Sequence, residues 1–435
     1  MLGSSPVPRG RMSRFLELGA AASQMALGGA AEKVRRLARK AEEGLPNVLL
    51  TAESARILAG RLSRLRGAAM KVGQMLSLEG DSVLPREFAQ ALEILRSSAH
   101  RMPAAQLKAV LAAELGKNWQ DRFESFDFEP LASASIGQVH AARTADGREV
   151  VLKVQYPGVA DSIDSDVDNL RSLLALSRIL PADLDLDAFS GEVKKELHRE
   201  VDYVQELGSL LRYRELLGSQ PGVLVPGGLP EHSTARVLCM ERAPGSQLLT
   251  WSASASQAER DRAAETLIRV LLREMFVVGL CQTDPNPANY LFDAESSRIV
   301  LLDFGAARAV PPEITQLYRN ATRALVRGDR PLLAEVYRTM GTILGEDSAA
   351  AQLLVAMGFE AAEIFADSPY DFAASTLAPR MREKGMALLP HRKELRPPQP
   401  EFVFFQRKVT GTYLLLRQLR TVLNVRPLLG EHDLD

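Results

Sequence analysis

The sequence predicts an α+β, two-lobed body with helical additions at its N-terminus. Three observations carry that expectation. From Thr51 onward, Leu58, Leu62, Leu65, Ala69, Val72 and Leu76 recur at three- and four-residue steps, which is helical spacing. Near residue 123 the period changes, and "QVHAARTADGREVVLKVQYP" reads as two strands joined at Ala145-Asp146-Gly147. After residue 250 helical pattern returns, interrupted by "QTDPNPANYLF" and "RIVLLDFG". Helices, then a small β region, then helices again is the order expected of an α+β fold.

The remaining elements follow in order. "PREFAQALEILRSSA" and "PAAQLKAVLAAEL" continue the first helical region. Beyond the hairpin, "SDVDNLRSLLALSRIL" reads as a helix. "FSGEVKKELHREVDYVQELGSLLRYREL" reads as one further helix. "ARVLCMERAPG" is a strand ending in a Pro-Gly turn, and a last helix near 402–422 follows the proline-rich "LRPPQPEF".

Composition narrows the classes. The 435 residues are enough for two or three domains of ~100–200 residues each, and 46% hydrophobic content is ample for their cores. Lys+Arg 53 against Asp+Glu 54 leaves a net charge of −1, which argues against a strongly basic nucleic-acid surface and against an acidic disordered tail. Two cysteines, Cys239 and Cys281, make neither a disulfide framework nor a thiolate metal site. They read as small buried hydrophobes in a reducing compartment. No apolar run reaches the ~18 residues of a membrane span. The nearest, "FLELGAAASQMALGGA", is flanked by Arg9, Arg11 and Arg14 and by Lys33, Arg35, Arg36, Arg39 and Lys40. Segment 14–31 reads as a helix that touches a membrane surface or self-associates through Gly19 and Ser23, or as a surface helix or loose arm.

The chemistry lies in "QTDPNPANYLF" and "RIVLLDFGAAR". Asp284 and Asn289 are five residues apart on a loop stiffened by Pro285 and Pro287, and Asp303 opens Asp-Phe-Gly after a strand. Phosphoryl transfer in kinases uses one loop carboxylate near the nucleophile. An amide five residues on binds a metal, and an Asp-Phe-Gly aspartate holds metal at the phosphates. Either piece alone is weak, but the two in order are fairly specific. Upstream, Lys153 in "REVVLKVQ" stands at a strand position, and "HREVDYVQEL" offers Glu200, Asp202 and Glu206. Asp202 and Glu206, four apart, are expected on one helix face. A glycine-rich loop before Lys153 is absent. In its place "LASASIGQVH" sets Ala132, Ser133, Ala134 and Ser135 ahead of Gly137, a stiffer loop that still permits close backbone approach.

With these motifs in place, the chain resembles the UbiB (AarF-type) atypical kinase-like family from about residue 60 to the C-terminus. The motifs are "KVGQ" at 71–74, "ASASIGQV" at 132–139, "VVLKVQYPGV" at 150–159, "EVDYVQE" at 200–206, "QTDPNPAN" at 282–289 and "LLDFG" at 301–305. They look closest to the mitochondrial coenzyme Q biosynthesis branch. Pro287 stands where that branch carries tryptophan, and Ser133 interrupts its alanine run.

The resemblance implies a bilobed protein-kinase-like fold with an N-terminal helical extension containing a Lys-x-Gly-Gln helix. Its domains would be an extension over 1–50, a helical subdomain over 51–122, a kinase-like N-lobe over 123–245 and a mostly helical C-lobe over 246–435. Lys71 and Gln74 would lie over the active site, facing the acidic pair Glu200 and Asp202. Gly67 and Gly73 beside them, at ~1 kcal/mol each in a helix interior, suggest tight packing there. Lys153 would contact ATP phosphates, oriented by Glu206, with Met240 completing the nucleotide set. Asn289 and Asp303 would hold Mg²⁺, and Asp284 would be the base or would position water. The implied function is an ATP-binding, Mg²⁺-dependent atypical kinase or ATPase supporting ubiquinone biosynthesis. The alternatives are a small-molecule or lipid-precursor kinase and a nucleotide-regulated scaffold without turnover. Implied partners are adenine nucleotide, a quinone-precursor lipid, a membrane surface and quinone-biosynthesis enzymes, with no nucleic acid and with oligomerisation left open. The implied location is the cytoplasmic face of the inner membrane in a bacterium, or the matrix side of the inner membrane in a mitochondrion.

Overall fold

The structure, a computed structural model, describes residues 101–134, 136–177, 186–343, 348–396 and 400–435. Segment 14–31, the expected helix of Lys71 and Gln74, and Ser135 lie outside the described residues. The chain divides into two compact units. The first takes the chain to Gly208 together with Gly228–Arg242; the second takes Ser209–Gly227 and Ala243–Asp435.

In the first unit, α1 (Ala104–Leu115) buries Leu107, Leu111 and Leu115, one residue per turn. Four strands follow: β1 (Phe123–Phe126), β2 (Ala132–Ser133), β3 (Gly137–Thr144) and β4 (Glu149–Gln155). The expected β3–β4 hairpin forms, and its turn is closed by Gly147 at φ 88, a left-handed position that glycine adopts without strain. Helices α2 (Val159–Ser177), α3 (Leu186–Glu200) and α4 (Tyr203–Leu217) come next. After β5 (Val223–Leu224), which belongs to the second unit, β6 (Val237–Glu241) completes the sheet. The strand order is β1-β3-β4-β6, with β2 paired to β3, and every pairing is antiparallel. β4 lies between β3 and β6, and its Val150, Leu152 and Val154 are fully buried.

One expectation is corrected here. The run from Phe189 to Leu216 is not a single helix; it breaks at Val201-Asp202. The Gln155 Nε2 amide donates to the Val201 carbonyl at 2.6 Å, and Asp202 Oδ1 accepts from the Gln205 backbone N–H at 2.9 Å as a cap for α4. The apolar period runs through the break, so the sequence does not show it. A capping aspartate with a distant side-chain donor decides the geometry. Asp202 and Glu206 consequently do not share an environment: Asp202 is exposed, whereas Glu206 is buried.

The second unit carries a four-stranded sheet in the order β5-β10-β9-β7, from β7 (Ser246–Gln247), β9 (Tyr290–Asp293) and β10 (Arg298–Leu301). A separate ladder joins β8 (Leu280–Gln282) to β11 (Ala307–Ala309). Around these lie α5 (Leu248–Ser252), α6 (Gln257–Arg273), α7 (Pro312–Arg327), α8 (Arg330–Thr339), α9 (Ala349–Ala361), α10 (Leu377–Leu388), α11 (Pro400–Gln418) and α12 (Arg426–Gly430). A short pair, β12 (Tyr370–Asp371) with β13 (Val422–Leu423), ties the C-terminal segment. α6 starts on a reciprocal Ser256–Glu259 capping box. It runs directly into a π-helical turn, Glu274–Val278, which ends at Gly279. Met275, Cys281, Val310, Ile314, Val336, Phe402 and Phe405 form one of the unit's hydrophobic clusters.

The region after residue 250 therefore holds more strand than the sequence shows. β8, β11, β12 and β13 are two or three residues long, too short to display a period of two. The helix expected near 402–422 is α11, which begins at Pro400 and stops at Gln418, and the short α12 follows it. Both cysteines are buried and free, and burial raises the Cys239 thiol to about 12. Among the described residues no helix is long and apolar enough to cross a membrane.

Candidate active site

Expected residues gather in two separate sets, one within the first unit and one within the second. In the first unit, Lys153 sits in the middle of β4 between Val139 and Leu238 on the flanking strands. Its Nζ donates to both oxygens of Glu206, each at 2.9 Å, and lies 5.1 Å from the centroid of the Tyr203 ring. The Lys153 side chain is 9% exposed and that of Glu206 1%, so the pair is buried rather than a solvated strand edge. Glu206 reaches Lys153 because α4 restarts after the break at Asp202, which turns the glutamate inward.

The alanine-rich loop is a tight β2–β3 hairpin. Ala132 faces Val139 and Ser133 faces Gln138, while the Ala134 N–H donates to the Gly137 carbonyl at 2.8 Å. Gly137 is required by close approach, since a Cβ there would lie 2.4 Å from the Val154 carbonyl oxygen. Met240 lies in β6 opposite Val151, its side chain buried. Glu200 is the last residue of α3.

In the second unit, β9 and β10 form a hairpin with Tyr290 opposite Leu301, and the Leu302 N–H donates to the Asn289 carbonyl at 2.9 Å. That register sets Asn289 and the segment leading to Asp303 side by side at one end of the hairpin. The loop before β9 is shaped by Asn286, whose Oδ1 accepts from the Ala288 N–H at 3.1 Å. The Asn289 Nδ2 donates to Asp284 at 3.2 Å, through both its carbonyl and its Oδ2. Asp303 has φ 57, a left-handed conformation that a non-glycine residue adopts at a cost of ~1–3 kcal/mol. It is held there by the Gly305 N–H on its Oδ1 at 3.2 Å and by Gln282 Nε2 on its carbonyl at 3.3 Å. Phe304 is buried against Tyr213, with ring centroids 4.9 Å apart.

These donors suit a magnesium ion. Mg²⁺ is commonly held by one or two protein oxygens, with phosphates and water completing its octahedron. With the Asn289 amide nitrogen turned to Asp284, its side-chain oxygen is the atom left for a cation, and the Asp303 carboxylate supplies charge. Among the described residues no three His, Cys, Asp or Glu side chains form a metal-holding group by themselves.

Sequence reasoning missed the residues that brace this loop. One face of α11 carries Phe404, Arg407, Lys408 and Gly411 at helical spacing. Arg407 Nη2 donates to Asp284 Oδ1 at 2.9 Å. Lys408 Nζ donates to the Tyr290 hydroxyl at 3.1 Å and lies 3.2 Å from Glu274 Oε2. The Arg308 guanidinium sits 3.4 Å over the Phe404 ring. A Cβ on Gly411 would fall 2.1 Å from the Pro285 ring. Glu274 also accepts from the Tyr213 hydroxyl at 2.9 Å and from the Gln282 N–H at 3.3 Å. Burial alone would lower the Lys408 ammonium, but Glu274, Tyr290 and Cys281 together outweigh it and hold the group above its ordinary range. Burial, reinforced by Glu274, raises the Cys281 thiol and the Tyr213 hydroxyl. The available signal was a lysine and an arginine inside an otherwise apolar helix, "FVFFQRKVTGTYLLL".

The family description "ABC1 atypical kinase-like domain" matches residues 94–337. The chain belongs to this family. Across family members, it is 35% identical over 423 residues to "Atypical kinase COQ8, mitochondrial" of Saccharomyces cerevisiae, covering 96% of this chain and 84% of that one. It is 39% identical to "Atypical kinase COQ8B, mitochondrial" of Rattus norvegicus, covering 97% and 80%. Against "Atypical kinase coq-8, mitochondrial" of Caenorhabditis elegans identity is 36%, and the chain spans 58% of that relative's length. Among solved structures, a complex of Rv3197 with erythromycin from Mycobacterium tuberculosis superposes with TM-score 0.62 at 25% identity, covering 87% of this chain and 95% of that one. The expected α+β, kinase-like architecture and family are thus established.

Proposed function

We propose that the chain is an ATP-binding, Mg²⁺-dependent atypical kinase or ATPase that supports coenzyme Q biosynthesis. The observation that carries this is the hairpin-end arrangement of Asp284, Asn289 and Asp303, with Asp303 held at φ 57. Bound MgATP would supply the phosphoryl group and the cation. Asn289 and Asp303 would hold the ion, and Lys153, fixed by Glu206, would neutralise phosphate charge. Asp284 would orient the attacking hydroxyl or water. Such a site works by positioning and electrostatics rather than covalent chemistry. Names of relatives that pair an atypical kinase with COQ8 support the pathway assignment, and their mitochondrial labels support a mitochondrial setting.

Saturating MgATP is expected to raise the melting temperature of the full chain, and Asp303→Asn is expected to remove the shift while leaving the fold intact. An unchanged wild-type melt would falsify nucleotide binding. Phosphate release, measured with and without anionic vesicles carrying a quinone-precursor mimic, separates a turning-over enzyme from a scaffold.

A further inference from the structure

The contact between α11 and the loop at Asp284 has no place in the function above. Three of its four members account for how the helix is anchored. Lys408 pairs with buried Glu274 and Tyr290, Phe404 stacks on Arg308, and Gly411 lets the backbone lie against Pro285. Arg407 is different. It reaches across 123 residues of sequence to the one carboxylate expected to meet the nucleophile. Its side chain is 15% exposed and its Nε, buried, has no hydrogen-bond partner among the described residues. A guanidinium that leaves a buried donor unsatisfied is a poor anchor, and Lys408 beside it already fastens the helix.

The geometry of the carboxylate says what the arginine does instead. Asp284 Oδ2 accepts from Asn289, five residues further along the same loop, and Oδ1 accepts from Arg407. Two donors on opposite oxygens fix the carboxylate plane, which a single contact leaves free to rotate. An arginine suits this because its fork is planar and permanently charged. We propose that Arg407 is a positioning residue for Asp284, holding its carboxylate in the orientation that presents the nucleophile to the transferred phosphoryl group. This rests on the assignment of Asp284 in the preceding section.

The test is steady-state phosphate release from MgATP by the full chain. Arg407→Ala and Arg407→Gln are expected to lower kcat by about 10- to 100-fold, the scale of misplacing a reacting group. KM for MgATP should stay within about twofold, because the arginine is not expected to bind nucleotide. Guanidinium ion at low millimolar concentration should restore part of the rate to Arg407→Ala and none to Asp284→Asn. A purely structural arginine would not be rescued in this way. Gly411→Ala, which drives the helix off Pro285 while keeping Arg407, should also lower kcat. A folded Arg407→Gln with wild-type kcat overturns the proposal. If Asp284→Asn abolishes turnover while Arg407→Gln does not, only Arg407 is misassigned. If Asp284→Asn keeps the wild-type rate, the reading of Asp284 fails, and the role of Arg407 with it.

Discussion

Each of the two units buries a lysine against a glutamate, and the two pairs are built differently. Lys153 and Glu206 meet bidentately, from a strand and a helix, with both distances 2.9 Å. Lys408 and Glu274 meet at 3.2 Å inside a web. Tyr213, Cys281 and the Gln282 N–H also point at Glu274, and Tyr290 shares Lys408. A buried pair is weak evidence for net stability, because desolvation offsets the Coulomb gain. What the second pair gains is its network, which joins the π turn, β8, β9 and α11 around the loop of Asp284. The first pair places one ammonium on the central strand, next to the alanine-rich hairpin. One reads as a fastener and the other as a site.

The largest expected effect tests that distinction. Lys153→Met and Lys408→Met each strand a buried glutamate, so each should cost about 3–5 kcal/mol of stability. Denaturant unfolding reads that loss. They should separate in the MgATP melting shift, which Lys153→Met loses and Lys408→Met keeps. A folded Lys408→Met without the shift would erase the distinction and make the web part of the nucleotide site.

The same contrast explains what was legible in the sequence. Lys153 and Glu206 were visible because a strand lysine and a helix glutamate belong to an ordered motif set ending in Asp-Phe-Gly. Asp284, Asn289 and Asp303 were visible by spacing, and the structure brings all three to one end of the β9–β10 hairpin. Glu274, Lys408 and Arg407 were not. Tyr213, Tyr290 and Asp284, which they bind, lie 61, 118 and 123 residues away in turn, and no local pattern encodes such a pairing. The same holds for the break between α3 and α4. Asp202 is a readable cap, but the Gln155 amide that draws off the Val201 carbonyl comes from 46 residues upstream. The left-handed backbone of Asp303 was hidden too, because aspartate carries no glycine-like signature of positive φ.

A middle-sized effect compares the glycines of the two units. Gly245 has φ 106, and a Cβ there would stand 2.5 Å from the Phe292 carbonyl oxygen. Gly137 faces a similar clash, 2.4 Å from the Val154 carbonyl oxygen, but without a positive φ. Overpacking costs about 1–3 kcal/mol, and a left-handed alanine adds about 1–2 kcal/mol. Gly245→Ala should therefore melt lower than Gly137→Ala. The order should reverse in the MgATP shift, which only Gly137→Ala should diminish, because Gly137 closes the hairpin beside Lys153. Equal shifts in the two variants would detach the hairpin from the nucleotide.

The smallest effect on stability is expected at Ala134, and it sharpens the comparison most finely. Its N–H closes the hairpin on the Gly137 carbonyl at 2.8 Å. Its Cβ excludes the backbone states that only glycine reaches. Replacing it by glycine widens the unfolded ensemble and should cost no more than about 0.4–1 kcal/mol. The consequence should appear in ligand choice. A hairpin able to bend toward phosphate oxygens gains contacts that a stiff one lacks, and ATP offers one more phosphate than ADP. Ala134→Gly should thus change the ratio of ATP to ADP affinity, and self-phosphorylation should become detectable. Titrations that give the wild-type ratio in a folded Ala134→Gly, with no labelled product, would show that the hairpin's stiffness serves the fold of the first unit and not its ligand.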